Sequence, residues 1–193
     1  NRSANIAFVS GTNEVIADSG VALSRLILES ANHNLGGMEG LFGIPGTVGG
    51  AVYGNVGANG VEISQFIKSN TLLSNHGKII RIKASELKPV YRSTKLKAMK
   101  KAGKETPLIL SVKFQLARNK KDDVVKRISE FKKKREMNQP YDKPTCGSVF
   151  RNPGDDQFAG KLVDNLGLKG LKEGGAEISR KHANFIVNNK DAT

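Results

Sequence analysis

Hydrophobic residues recur with two different periods along this chain, and each period predicts a different element. Leu108, Leu110, Val112, Phe114 and Leu116 take alternate positions, with Ser111, Lys113 and Gln115 between them. A period of two predicts a strand with one buried and one solvated face. Val21, Leu23, Leu26, Ile27 and Ala31 instead follow a spacing of about 3.6, which predicts an amphipathic helix. Asp18 or Ser19 stands in the capping position before it and Gly36-Gly37 behind it as a stop. Phe66 to Leu73 and Ile79 to Lys83 flank Asn75-His76-Gly77-Lys78, a strand, turn, strand pattern. Val124, Ile128 and Phe131 return to helical spacing, and Pro140 and Pro144 then break the chain. A further helix is expected with Asp155 or Asp156 as cap, Ala159, Leu162, Val163 and Leu166 facing inward, and Gly167 and Gly170 as stop signals. Phe185 to Thr193 reads as a strand followed by the start of something new. The mixture predicts an α+β chain in two parts, 1–117 and 118–193, divided where the composition changes, with no internal repeat.

At 193 residues and 38% hydrophobic content the chain is long and apolar enough for a packed core, which argues against disorder. Lysine and arginine exceed aspartate and glutamate by 31 − 18 = 13. That surplus suits a nucleotide, a sugar phosphate or a nucleic acid, and does not choose among them. Residues 118–135 hold nine of the basic residues against three acids. A solvated helix face between two domains explains this run better than a nucleic-acid surface, because no aromatic residues for base stacking are interleaved with the lysines. The single cysteine, Cys146, excludes an internal disulfide framework and fits a reducing compartment. His33, His76 and His182 are scattered, with no metal-ligand spacing to that cysteine, so no metal is expected. No apolar run approaches the ~20 residues that span a bilayer. A soluble cytoplasmic protein without membrane or nucleic-acid partners is the expectation. Both ends, at Asn1 and Thr193, read as cut.

Seven of the eighteen residues from Gly43 to Gly60 are glycine. Glycine at that density allows turns at positive φ and lets a guest approach the backbone amides, and a phosphate or a flat ring is the natural guest. The alternative is a structural loop. Ile44, Val48, Ala51 and Val52 among the glycines argue that the segment folds onto a core. It does not fit the G-x-G-x-x-G pattern of a Rossmann site.

Four segments together resemble a bacterial flavoenzyme family, the UDP-N-acetylenolpyruvoylglucosamine reductases. They are Gly43 to Gly60; Tyr91-Arg92-Ser93-Thr94; Cys146-Gly147-Ser148-Val149-Phe150-Arg151-Asn152-Pro153; and Gly174-Gly175-Ala176-Glu177-Ile178-Ser179 running into His182-Ala183-Asn184-Phe185. The resemblance implies the second lobe of a two-lobed, vanillyl-alcohol-oxidase-like FAD-binding domain, followed by part of an α+β substrate-binding domain. It implies an oxidoreductase in which NADPH reduces FAD, and UDP-N-acetylglucosamine enolpyruvate is reduced to UDP-N-acetylmuramate. Such a flavoprotein serves peptidoglycan precursor synthesis, and through it cell-wall biogenesis, cell shape and cell division.

Carried onto this sequence, the resemblance makes Arg92 and Ser148 catalytic. Arg92 is a fixed cation for an enolate, and Ser148 is the proton donor. It places Gly43, Ile44, Pro45, Gly46, Thr47, Gly49, Gly50 and Asn55 at the cofactor, with Tyr91 and Asn152 at the substrate. The amides of Gly46, Thr47, Gly49 and Gly50 are expected to face the flavin ring or its pyrophosphate, and Asn55 to bond its polar edges. Cys146 is read as packing. Thr94 stands where the family usually has serine, and Val56 and Asn59 replace an alanine and a tyrosine. Asn138 takes the place of a common basic residue. The first flavin lobe and a second catalytic acid, a glutamate, are expected before Asn1 and beyond Thr193, so the chain alone is expected to hold FAD weakly and turn over poorly. The alternatives are another oxidoreductase of the same flavin fold and a basic nucleic-acid-binding protein.

Overall fold

The computed structural model describes residues 3–154 and 156–192. In chain order it contains β1 (Ile6–Phe8), β2 (Glu14–Asp18), α1 (Leu23–Asn32), β3 (Leu35–Gly36), α2 (Val48–Tyr53), β4 (Gly57–Ala58), β5 (Val61–Glu62), β6 (Ile67–Leu73) and β7 (Ile79–Lys83). There follow α3 (Lys95–Lys101), β8 (Leu108–Gln115), β9 (Ala117–Arg118), α4 (Lys121–Asn138), β10 (Thr145–Ser148), α5 (Ala159–Asn165), β11 (Lys172–Glu173), β12 (Ala176–Ile178) and β13 (Phe185–Asn188). This is the α+β architecture that the two periods imply. The chain divides into two compact units, Asn1–Lys132 and Lys133–Thr193.

The first unit is built on an antiparallel sheet of strand order β1-β2-β8-β6-β7. Alternation along β8 puts Val112 and Phe114 on the buried face, opposite Ala17 and Val15 of β2. Leu23, Leu26 and Ile27 of α1 and Val48 and Val52 of α2 join them in one core. On the other face Glu14 is held between Lys68 and Lys113, with Lys113 at 3.0 Å. Hydrogen bonds from Lys68 and then Lys113 keep its carboxyl below the ordinary range.

The expected cap of α1 is corrected. Ala22 occupies the N-cap without a side-chain bond, and Asp18 ends β2, where its carboxylate accepts from Ser3 Oγ at 2.7 Å and Asn5 N at 3.0 Å. The helix closes at His33, and Asn34 turns the chain at φ 56°. Gly36 therefore lies in a strand, paired with Ala117 of β9.

The compact units divide inside α4 rather than at the compositional change near residue 118. Val124 and Ile128 are buried in the first core, and Arg127 reaches the buried Glu39 at 2.8 Å. The first turns of the helix are thus part of the first unit.

The second unit carries an antiparallel sheet of order β10-β13-β12-β11, with Phe185 and Val187 on its buried face. The N-cap of α5 is Phe158, without a side-chain cap bond. Asp155 lies outside the described residues, and Asp156 does not fill the cap. Asn152 Oδ1 accepts from Ala159 N at 3.1 Å in its place. The inward face expected for α5 reduces to Ala159 and the half-buried Val163, since Leu162 and Leu166 are 47% and 72% exposed. The helix has seven residues and only its first turn meets the sheet side of the unit, where Gly160 lies against the His182 ring.

Candidate active site

The glycine-rich segment is stitched along its length to the chain between Ser19 and Ser24. Gly43 N donates to Ser24 Oγ at 3.2 Å, Leu23 N to Gly46 O at 3.1 Å, Val48 N to Val21 O at 2.8 Å and Gly49 N to Ser19 O at 2.9 Å. Thr47 then caps α2, its hydroxyl accepting from Gly50 N at 3.4 Å. A Cβ at Gly49 would stand 2.8 Å from that of Ser19, so glycine is needed for this approach. The half-buried Ile44 packs on the core. Of the four amides expected to face the cofactor, that of Gly49 is used within the fold, as is the amide of Gly43. Gly46 N and Thr47 N have no partner among the described residues, and the bond from Gly50 N is long. Gly46, at φ 127°, has nothing within 4 Å of a notional Cβ. Pro45, with fixed φ, leads the chain into this open turn.

A cleft of roughly 680 Å³ opens on the segment. Ser19, Thr47, Gly49, Gly50 and Tyr53 form one wall, and Lys100 and Lys104 stand among the residues that line the rest. Backbone free of side chains beside two cations fits a ligand with a flat ring and phosphates. The residues present therefore suit FAD.

Tyr91-Arg92-Ser93-Thr94 forms a tight turn, closed by Val90 N to Ser93 O and Ser93 N to Val90 O, both 3.0 Å. Arg92 sits at its tip with φ 55°, a left-handed conformation that costs a non-glycine residue about 1 kcal/mol or more. Three side-chain bonds fasten the turn to the glycine segment. Arg92 Nη2 donates to Gly57 O at 2.6 Å, Thr94 Oγ1 to Tyr53 O at 2.8 Å, and Asn55 Nδ2 to Val90 O at 3.1 Å. Lys97 Nζ adds a bond to Arg92 O at 3.1 Å. The half-exposed Tyr91 ring lies under the guanidinium, 5.0 Å from centroid to Cζ. The structure thus brings Arg92 and Tyr91 onto the glycine segment.

Asn55 is a correction. It is fully buried, and both its amide hydrogens and its oxygen are engaged, by Glu62 Oε2 at 2.8 Å, Val90 O and Ser64 N. Nothing remains of that side chain for a cofactor edge.

Ser148 lies in the second unit, on β10 opposite Phe185, after an irregularity at Gly147 (φ 86°). Its hydroxyl is exposed and has no partner among the described residues. Asn184, 5% exposed, fixes the segment that follows: its backbone O accepts from Val149 N, its Oδ1 from Phe150 N, and its Nδ2 donates to Phe150 O, all at 2.9 Å. Asn184 N in turn donates to His182 Nδ1 at 3.2 Å. Burial, then the nearby Lys169 charge, keeps His182 below its ordinary pKa. Asn152 gives one acceptor site of its oxygen to α5, and its amide nitrogen has no partner among the described residues. Cys146 is exposed, which corrects its reading as a packing residue. In the sequence Asn184 stands out only as part of a motif, and its clamp on Phe150 has no local sequence signal because the partners are 34 residues apart.

Two family models match the chain: an FAD binding domain over residues 3–83, and the C-terminal domain of UDP-N-acetylenolpyruvoylglucosamine reductase over residues 139–193. Among curated relatives, the UDP-N-acetylenolpyruvoylglucosamine reductase of Thermotoga petrophila is 41% identical over 93% of this chain and 61% of its own length. That of Exiguobacterium sibiricum is 40% identical over 94% of this chain and 57% of its own. The crystal structure of the reductase from Thermus caldophilus superposes with a TM-score of 0.81 at 34% identity, covering 92% of this chain and 62% of that one. The chain spans about three fifths of the length of these relatives. Over the part it spans, the chain is similar to the UDP-N-acetylenolpyruvoylglucosamine reductases.

Proposed function

We propose that this chain supplies the glycine-rich flavin face, the catalytic arginine and the proton-donating serine of a UDP-N-acetylenolpyruvoylglucosamine reductase. The observation that carries this reading is the attachment of Arg92 to the glycine segment through Gly57, Tyr53 and Val90. In it, residues 1–117 belong to an FAD-binding domain and 118–193 to a substrate-binding domain, the first turns of α4 packing on the core of the former. FAD, when bound, supplies hydride transfer from NADPH to the β-carbon of the enolpyruvyl ether.

The amides of Gly46, Thr47 and Gly50 and the cations Lys100 and Lys104 hold and orient that cofactor. As the β-carbon is reduced, negative charge builds on the α-carbon and its carboxylate. Arg92, permanently charged and fixed on one side by Gly57 O, offers its remaining N–H groups to that charge. Tyr91 and the free amide nitrogen of Asn152 contact the UDP-sugar. Ser148 delivers its hydroxyl proton to the α-carbon, which completes saturation of the C=C bond, and takes a proton back from solvent. The product is UDP-N-acetylmuramate, and the setting is cytoplasmic peptidoglycan precursor synthesis.

The test is a chimera in which this chain replaces the matching part of the Thermotoga petrophila relative. Substrate-dependent NADPH oxidation is expected. Ser148→Ala is expected to slow product formation by ~10²–10⁴-fold while flavin reduction by NADPH keeps its rate. A chimera that binds FAD and never reduces the enolpyruvyl substrate defeats the proposal, and equal slowing of both half-reactions makes Ser148 structural.

A further inference from the structure

We infer that Asn55 is the positioning residue of Arg92, acting through the carbonyl of Val90. The inference rests on the reading of Arg92 as catalytic.

The geometry leaves one orientation for the Asn55 amide. The Glu62 carboxylate, 2.8 Å away, and the Val90 carbonyl, 3.1 Å away, can only accept, so the nitrogen faces both. Ser64 N, 3.3 Å from Oδ1, requires the oxygen on the other side. With no exposure to solvent, the amide has no competing partner. Glu62 is itself fixed, since it caps the helical turn Ile63–Phe66 in a reciprocal capping box with Gln65.

Val90 opens the turn whose tip is Arg92. Its carbonyl accepts from Asn55 and also from Ser93 N, the bond that closes the turn. A non-glycine residue at φ 55° persists only where its surroundings over-determine it. Asn55 supplies one of those constraints from across the chain.

The guanidinium is seated by the same short segment. A Cβ at Gly57 would come within 2.9 Å of Arg92 Nη1 and 3.0 Å of Glu62 Cγ, so the head group lies against bare backbone. Arg92 Nη2 then bonds the carbonyl of that same glycine. Asn55 therefore fixes the backbone of Arg92 and Gly57 its head group. Asparagine serves twice at this position, because the residue is at φ 44°, which asparagine tolerates better than most. Glycine would keep the backbone without the amide. Aspartate would keep the shape without the donor.

The test uses the 193-residue chain labelled with ¹⁵N, as wild type, Asn55→Gly, Asn55→Asp, and Asn55→Asp with Glu62→Gln. Both single variants are expected to lower protection of the Ser93 amide by about tenfold, the effect of losing one hydrogen bond, and to move the Arg92 Nε–H resonance toward that of a free arginine. Val112 and Phe114 amides should keep their protection. The double variant restores an acceptor-donor pair at residue 62 but no donor to Val90, so the Arg92 signature is expected to stay lost. The inference is overturned if Ser93 and Arg92 are unchanged, if all amides weaken together, or if the double variant restores the wild-type signature. A wild-type Arg92 resonance unmoved by saturating UDP-N-acetylglucosamine enolpyruvate would instead remove the catalytic reading of Arg92, a failure that leaves the variant comparisons as they are.

Discussion

Removing the Asn184 amide should loosen the segment that carries Ser148, by an amount the structure allows to be worked out. Asn184→Ala deletes two side-chain bonds, to Phe150 N and Phe150 O, and leaves the backbone bond to Val149 N in place. A typical net contribution is about 0.5–1.5 kcal/mol per bond, so about 1–3 kcal/mol is expected in all. The upper end bounds the loss, because Phe150 is 59% exposed and water replaces part of what its backbone groups lose. Asn184→Asp keeps the acceptor for Phe150 N and loses only the donor to Phe150 O, so about half the loss is predicted. The assay is amide hydrogen exchange at Phe185 and Val187, which reads the second unit by itself. At 2 kcal/mol the protection falls by roughly 30-fold. A loss below about 0.5 kcal/mol for Asn184→Ala, or equal losses for the two variants, would refute the clamp.

Gly50→Ala and Gly49→Ala should separate ligand binding from packing. A Cβ at Gly50 meets only Thr47 Oγ1 at 3.8 Å, so alanine should stabilise α2 by about 0.5–1 kcal/mol while weakening FAD binding in the cleft. At Gly49 the clash with Ser19 should cost about 1–3 kcal/mol in urea unfolding; equal behaviour of the two variants would contradict the assignment. Asn70 is 1% exposed on β6 with neither amide atom partnered among the described residues, so Asn70→Leu should raise the urea midpoint by an amount equivalent to about 1–3 kcal/mol, and a lowered midpoint would show the amide to be satisfied. His182 is held below its ordinary pKa of 6.5, so the unfolded chain takes up its proton first as pH falls. Its contribution is complete above pH 6.5 and is lost as pH falls through the folded value, and His182→Gln should flatten that part of the pH dependence read from β13 amide exchange.

The elements legible in the sequence were those whose own period decides their burial. β8 alternates cleanly because one face meets the core and the other meets Glu14 and the lysines, and α1 shows its stripe because Leu23, Leu26, Ile27 and Ala31 all enter one core. Where a distant partner decides the outcome, the local sequence does not show it. Asp18 looks like a cap in sequence, but its carboxylate is taken by Ser3 and Asn5 from a neighbouring strand region. The glycine segment conceals α2, whose signals were the capping Thr47 and the helical spacing of Val48, Ala51 and Val52, masked by glycines that mark close approach to Ser19 as well as ligand access. Asn55 was expected to face a ligand, and only the fold shows that Glu62, Val90 and Ser64 consume it. The stripe on α5 reads as inward because apolar spacing reports a face, not what covers it.

In the proposed function the open amides of the glycine segment and Arg92, pinned to the same segment through Gly57, serve one flavin-binding site. Titrating FAD into the ¹⁵N-labelled chain tests it directly. The Gly46, Thr47 and Gly50 amides and the Arg92 Nε–H resonance are expected to shift together along one binding curve, while β13 amides stay still. Shifts confined to other residues, or none at the highest soluble FAD concentration, would contradict it.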